Sequence, residues 1–228
     1  MKPAIIVFPG SNCDQDILHS IKNIYGKAPK LIWYQETIPN KTDFIIIPGG
    51  FSFGDYLRCG AIAAKSNVIN QINKFVSKGT KVLGICNGFQ ILTEAGFLPG
   101  MLLMNKNLKF ICKNTHLIVT NNTSKFTNKF HKNETLQMPI AHKVGNYFIS
   151  KDGLKSLISN NQIILRYSNQ KGICSEIENP NGSTYNIAGI TNKAGNVMGM
   201  MPHPERFYNN KNKDFAMKKI LESLLNDS

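Results

Sequence analysis

The sequence predicts one α/β domain: a mostly parallel, doubly wound sheet with a nucleophile elbow at the end of a central strand. Three observations carry that reading. Short apolar runs alternate with amphipathic stretches through the first hundred residues, the βαβ rhythm of a sheet covered by helices on both faces. The strand-like Lys81 to Ile85 runs into Gly84-Ile85-Cys86-Asn87-Gly88 and then into a helix-like Phe89 to Ala95, which is the spacing of a strand-to-helix elbow. No repeat, low-complexity tract or Pro/Ser linker divides the chain, so a single domain is expected over residues 1–228.

The elements follow in order. Ala4 to Phe8 reads as a strand closed by Pro9-Gly10, and Asp14 to Tyr25 as a helix ended by Gly26. Leu31 to Tyr34 and Phe44 to Ile47 read as strands. Asn67 to Ser77 places Val68, Ile69, Ile72, Phe75 and Val76 on one side, with Gly79 after it, and reads as a helix. Lys81 to Ile85 is the central strand. The second half is more mixed, with strands expected near Lys109 to Cys112, His116 to Thr120, Gln162 to Tyr167, Tyr185 to Ile190 and Val197 to Met201. A last helix is expected from about Asp214 to Leu225.

Composition narrows the function. With 42% hydrophobic and 18% charged residues in 228, the chain can bury a core and is neither disordered nor fibrous. Its longest apolar runs fall far short of the roughly 18 residues that a membrane-spanning helix needs. The start offers one Lys and five apolar residues before Pro9-Gly10, too short an apolar region for a secretory signal, so a cytosolic protein is expected. The five cysteines are odd in number and form no Cys-x-x-Cys pair, which points to free thiols and to no metal site. The net charge is +13, but only Arg58, Arg166 and Arg206 are arginine and 24 basic residues are lysine. Base readers lean on the bidentate guanidinium, so the charge reads as compositional drift and no nucleic-acid partner is expected. From Gly100 to Lys132 there are six lysines and no acidic residue. That stretch reads as solvated surface, with an acidic partner or a phosphate as the alternative.

Three motifs carry chemistry. Glycines on both sides of Cys86 permit the tight turn that raises its side chain at the carboxyl edge of the sheet, at a helix N-terminus that favours the attacking anion. An inert buried cysteine would use the same turn. Pro202-His203-Pro204-Glu205 decides against it, because it puts an imidazole and a carboxylate two residues apart in a segment that prolines are expected to hold extended, both pointing to one side. Pro48-Gly49-Gly50-Phe51 follows the Phe44 to Ile47 strand, also at the carboxyl edge. Its backbone amides, with that of Asn87, can form an oxyanion hole.

These pieces resemble the triad-type (class I) glutamine amidotransferases. Within them the chain is most similar to the glutaminase subunits of phosphoribosylformylglycinamidine synthases. The resemblance spans nearly the whole chain, through PGSNCDQD at Pro9 to Asp16, GGFSFGDYLRCGAIA at Gly49 to Ala63, GICNGFQIL at Gly84 to Leu92, NPNGS at Asn179 to Ser183 and NIAGITNKAGNVMGMMPHPER at Asn186 to Arg206. It implies Cys86 as nucleophile, His203 as general base and acid, Glu205 as its orienter, and Gly50 and Asn87 as oxyanion donors. It implies glutamine contacts at Gln90, Phe51, Arg58 and His142. Where the family typically reads Ala-His-Gly-Glu-Gly, this chain has Ala141-His142-Lys143-Val144-Gly145, so a carboxylate is lost there. The chain shows no phosphate-cradling glycine loop. No cofactor of its own is expected, and ATP and Mg2+ are assigned by the resemblance to a large synthetase subunit that aminates formylglycinamide ribonucleotide, joined by a small bridging subunit. The competing readings are a glutaminase subunit serving another acceptor enzyme, a cysteine-bearing α/β protein of the stress-chaperone or deglycase type, and a binding subunit with an inert thiol.

Overall fold

A nine-stranded sheet carries the molecule, and its two halves are wired differently. The computed structural model describes residues 1–206, 208–209, 212–213 and 215–225. The chain begins with β1 (Pro3–Val7), α1 (Asp14–Tyr25), β2 (Lys30–Trp33), β3 (Phe44–Ile47), α2 (Asn67–Ser77), β4 (Lys81–Ile85) and α3 (Asn87–Glu94). It continues with β5 (Met101–Met104), β6 (Ile111–Val119), β7 (Thr135–His142), β8 (Val144–Phe148), α4 (Lys151–Ser159), β9 (Ile163–Ser168), β10 (Ile187–Thr191), β11 (Val197–Met200) and α5 (Phe215–Leu225). The sheet order is β2-β1-β3-β4-β11-β10-β9-β6-β7. Neighbours are parallel from β2 through β11 and antiparallel from β11 through β7.

The burial patterns follow from that wiring. All four residues of β3 are buried, as a strand covered by helices on both faces requires. Helix α1 carries Asp14 and Asp16 in its first turn, where the helix dipole favours acids, and ends at Gly26 with φ 70. The antiparallel half instead alternates buried and wetter residues along β6 and β7. Here the expected strands at Lys109 to Cys112 and His116 to Thr120 form one continuous β6. Strand β7 escapes the sequence pattern, because Pro139 argues against a strand; it is tolerated because β7 is the edge of the sheet. The antiparallel pair β5 and β8 and helix α4 are likewise additions to the sequence reading. Tyr185, expected in a strand, sits in a short 3-10 turn at φ 55, and β10 begins at Ile187. The expected start of the last helix, Asp214, lies outside the described residues. Lys106, Lys109, Lys113, Lys129 and Lys132 of the basic stretch are exposed. Among the described residues, no helix is long and apolar enough to cross a membrane.

Candidate active site

The parallel half brings four loops to one rim: those after β1, β3, β4 and β11. Strand β4 runs straight into the elbow. The Cys86 amide continues the ladder to the Met200 carbonyl of β11 at 2.7 Å, and Cys86 itself takes φ 52 and ψ −103 before α3 begins. A residue with a side chain rarely adopts such a backbone, and it persists only where the surroundings impose it. Here the flanking glycines do so. A Cβ at Gly88 would lie 2.0 Å from the Ile47 carbonyl oxygen, and one at Gly84 would lie 2.6 Å from that of Gly88. The helix therefore seats directly on β3 and β4, and Cys86 is left 5% exposed at its N-terminus.

His203 arrives from β11. Its amide donates to the Pro139 carbonyl at 2.9 Å, and its Nδ1 donates to Glu205 Oε1 at 2.7 Å, with the two side chains 2% and 0% exposed. The segment is not extended as expected: Pro204–Arg206 is a 3-10 turn. Proline's fixed φ suits the first position of a helical turn, and the turn still delivers the carboxylate to the imidazole. Burial works against a charged His203, yet the carboxylate of Glu205 and then the sulfur of Cys86 outweigh it and hold its pKa well above the ordinary value. Nε2 takes no hydrogen bond among the described residues. The Cys86 thiol instead donates to the Ala141 carbonyl at 3.7 Å, so the end of β7 lies over the nucleophile.

The loop after β3 packs between them. A Cβ at Gly49 would lie 2.7 Å from His203 Cε1 and 3.4 Å from Cys86 Cβ. The Gly49 carbonyl accepts from the Cys13 amide at 3.2 Å and the Phe51 amide donates to the Gly10 carbonyl at 2.9 Å. The amide of Gly50, between them, takes no part in that pair. The Asn87 amide precedes the first intrahelical bond, from Phe89 to the Cys86 carbonyl. Its side chain pins the neighbouring loop, accepting from the Ser52 amide at 3.1 Å and donating to Gln90 Oε1 at 2.7 Å and Asp55 Oδ1 at 3.3 Å.

The other expected substrate contacts divide. Gln90 Nε2 donates to the Val144 carbonyl at 2.6 Å, tying α3 to the start of β8. His142 is buried close enough to His203 to feel its charge, and burial first, then that charge, lowers its pKa to about 4. Asn105 Oδ1 faces its Nδ1 at 3.1 Å and also accepts from the Gly145 amide at 3.2 Å, so the ring proton sits on Nδ1 and Nε2 is a buried acceptor without a partner among the described residues. Phe51 is 48% exposed. The Arg58 guanidinium pairs with Glu94, the last residue of α3. Residues to which the sequence reading gave no role stand at the rim as well. Cys13 is buried beside His203, Asn105 organises the Ala141–Gly145 segment, and Asp16 holds Arg206, with Nε at 2.8 Å and a terminal nitrogen at 2.7 Å.

Residues 1–224 match the family model of the CobB/CobQ-like glutamine amidotransferase domain. The chain belongs to that family. This glutamine amidotransferase is similar to a chain in the structure of PurLQS from Thermotoga maritima, at 42% identity and a TM-score of 0.85, covering 99% of this chain and 97% of that one. It shares its fold with a glutamine amidotransferase from Thermotoga maritima (17% identity, TM-score 0.56, 100% of this chain and 83% of that one). It does so also with a putative GMP synthase subunit from Thermoplasma acidophilum (13% identity, TM-score 0.59, 99% and 95%).

Proposed function

We propose that this glutamine amidotransferase hydrolyses glutamine at Cys86 and passes the ammonia to a large synthetase subunit, which uses ATP and Mg2+ to convert formylglycinamide ribonucleotide to the amidine. The observation that carries the chemistry is the buried His203–Glu205 pair at 2.7 Å, packed with Cys86 around Gly49. The acceptor is supported by the 42% identity to a PurLQS chain. A small bridging subunit completes the proposed complex, and five unpaired thiols fit a cytosolic setting.

In the proposed reaction the Cys86 proton has passed to His203 Nε2, whose raised pKa holds it as the imidazolium, and the thiolate attacks the side-chain carbonyl of glutamine. Glu205, on Nδ1, stabilises the imidazolium without itself accepting the proton. The amides of Gly50 and Asn87 receive the oxyanion. The imidazolium then protonates the leaving nitrogen, the C–N bond breaks, and ammonia departs from a γ-glutamyl thioester. Water, deprotonated by the same imidazole, releases glutamate and restores the thiol. Entry of glutamine requires the Ala141 carbonyl to release the thiol. Gln90 and His142 flank that segment and are assigned to the bound glutamine. Ammonia in bulk water at neutral pH is mostly protonated and no longer nucleophilic, which favours a closed route to the partner.

A glutamine-mimicking diazoketone tests the chemistry and a reconstituted assay tests the acceptor. Labelling is expected at Cys86, with protection by glutamine, and formylglycinamide ribonucleotide with ATP is expected to be aminated only when the synthetase is added. Labelling that glutamine does not protect would refute the hydrolysis. Protected labelling without amination of that ribonucleotide would refute the acceptor alone.

A further inference from the structure

Cys13 is a second buried thiol at the rim, with no part in the hydrolysis set out above. It caps α1, which follows β1, and β1 is separated from β4 by β3 alone. The two cysteines therefore flank the Gly49–Gly50 loop. A Cβ at Gly49 would lie 3.0 Å from Cys13 Sγ as well as 2.7 Å from His203 Cε1. Cys13 Sγ, a His203 ring nitrogen and a Glu205 oxygen all lie within 4.8 Å of one another.

One oxygen of that carboxylate is fully engaged and the other is not. Oε1 accepts the hydrogen bond from the imidazole Nδ1, while Oε2 is buried with no hydrogen-bond partner among the described residues. A buried carboxylate oxygen without a donor is costly, and a weak donor within reach of it lowers that cost without displacing the imidazole proton from the other oxygen. Cys13 is 2% exposed, and burial raises its pKa despite the opposing pull of His203, so the thiol stays uncharged. Its proton points to Asn12 Oδ1 at 3.3 Å, and rotation about one bond redirects it. The Asp16–Arg206 pair fastens the first turn of α1 to the turn that holds Glu205.

We propose that Cys13 is a positioning residue of the hydrolysis: its neutral thiol closes the back of the His203–Glu205 pair, so that the carboxylate stays aligned on Nδ1 while the imidazole gains and loses the Cys86 proton. Sulfur suits the task because it is bulky, polarisable and a weak donor. A hydroxyl would compete with Nδ1–H for the carboxylate and weaken the imidazolium. A methyl group would leave space for water. Among the described residues, the charged and titratable groups that act on the pair are Cys86, Cys13 and His142 on His203 and Arg206 on Glu205, and Cys59 and Tyr167 lie close enough to Cys86 to feel its charge.

This inference rests on the hydrolysis proposed above. Its test is the full chain as wild type, Cys13→Ser and Cys13→Ala, assayed for glutamate release and for iodoacetamide alkylation of Cys86 against pH, with peptides mapped by mass spectrometry. Cys13→Ala is expected to lower kcat roughly 10-fold with KM within about 2-fold, a loss in keeping with slight misplacement of a catalytic group. Cys13→Ser, nearly the same size, is expected to fold and to move the midpoint of Cys86 alkylation to higher pH by roughly half a unit. Wild-type Cys86 that glutamine does not protect would overturn the hydrolysis and this inference together. Protection in the wild type, with both variants matching it in kcat and in midpoint, would overturn this inference alone.

Discussion

Cys13 and Cys86 occupy equivalent places in the fold, yet only one is proposed to attack. Each caps a helix that follows a parallel strand of the same sheet, each is buried, and both pack against the loop after β3. They differ in backbone. Cys13 sits at φ −101 and ψ 5, an ordinary conformation for a turn, whereas Cys86 is held at φ 52 and ψ −103 between two glycines that contact neighbouring backbone. The carboxyl edge of a parallel sheet thus offers several helix N-termini, and strain imposed by close packing distinguishes one of them.

The largest effect that sharpens this contrast is on the nucleophile. Cys86→Ala is expected to lower glutamate release by about 10⁴-fold or more while leaving the circular dichroism spectrum and melting unchanged. The same substitution at Cys13 costs far less, a roughly 10-fold loss in kcat. Gly88→Ala attacks the packing that holds the elbow: its methyl would stand 2.0 Å from the Ile47 carbonyl oxygen. A stability loss of about 3 kcal/mol in urea denaturation is expected, the upper range for overpacking a core. A wild-type midpoint would mean that the elbow is not set by this contact.

His142 supplies a pH test on the segment over the nucleophile. Its folded pKa is lowered to about 4, so the unfolded chain binds a proton near pH 6.5 that the folded chain refuses. Folded stability therefore falls as pH drops from about 6.5 toward 4, by on the order of 3 kcal/mol for this group. His142→Gln keeps a donor for Asn105 and is expected to flatten that fall in wild-type-minus-variant denaturation curves. Parallel curves would show that His142 is not held neutral. The smallest effect is expected from Asp16→Asn, which breaks a partly exposed pair with Arg206 and should cost about 0.5–1 kcal/mol, less at high salt.

Legibility in the sequence followed the same divide. The strands β3 and β4 and the helices α1 and α2 lie where periodicity places them, because a strand buried on both faces must be a continuous apolar run and a covering helix needs one apolar side. Strand β7 was hidden by Pro139 and by polar residues on its wet face, and β5 and β8 form a separate two-stranded pair too short to show a period. At the site, the elbow at Cys86 was legible because its glycines write a backbone requirement into the local sequence, and the meeting of His203 with Glu205 because they stand two residues apart, although the prolines close a turn rather than hold the segment extended. Cys13 was not legible. Its place beside His203 comes from the order β1-β3-β4-β11, which brings residues 190 apart into contact, as Asp16 and Arg206 show. The partner of Arg58 was hidden in the same way, since Glu94 lies 36 residues on. Asn105 and His142, 37 residues apart, meet only because the segment after β5 lies against the end of β7.

The most direct measurement mixes the chain with glutamine, quenches it in acid during turnover and maps the γ-glutamyl adduct by mass spectrometry. The adduct is predicted on Cys86, with Cys13 unmodified in the same sample. An adduct on Cys13 would contradict the account.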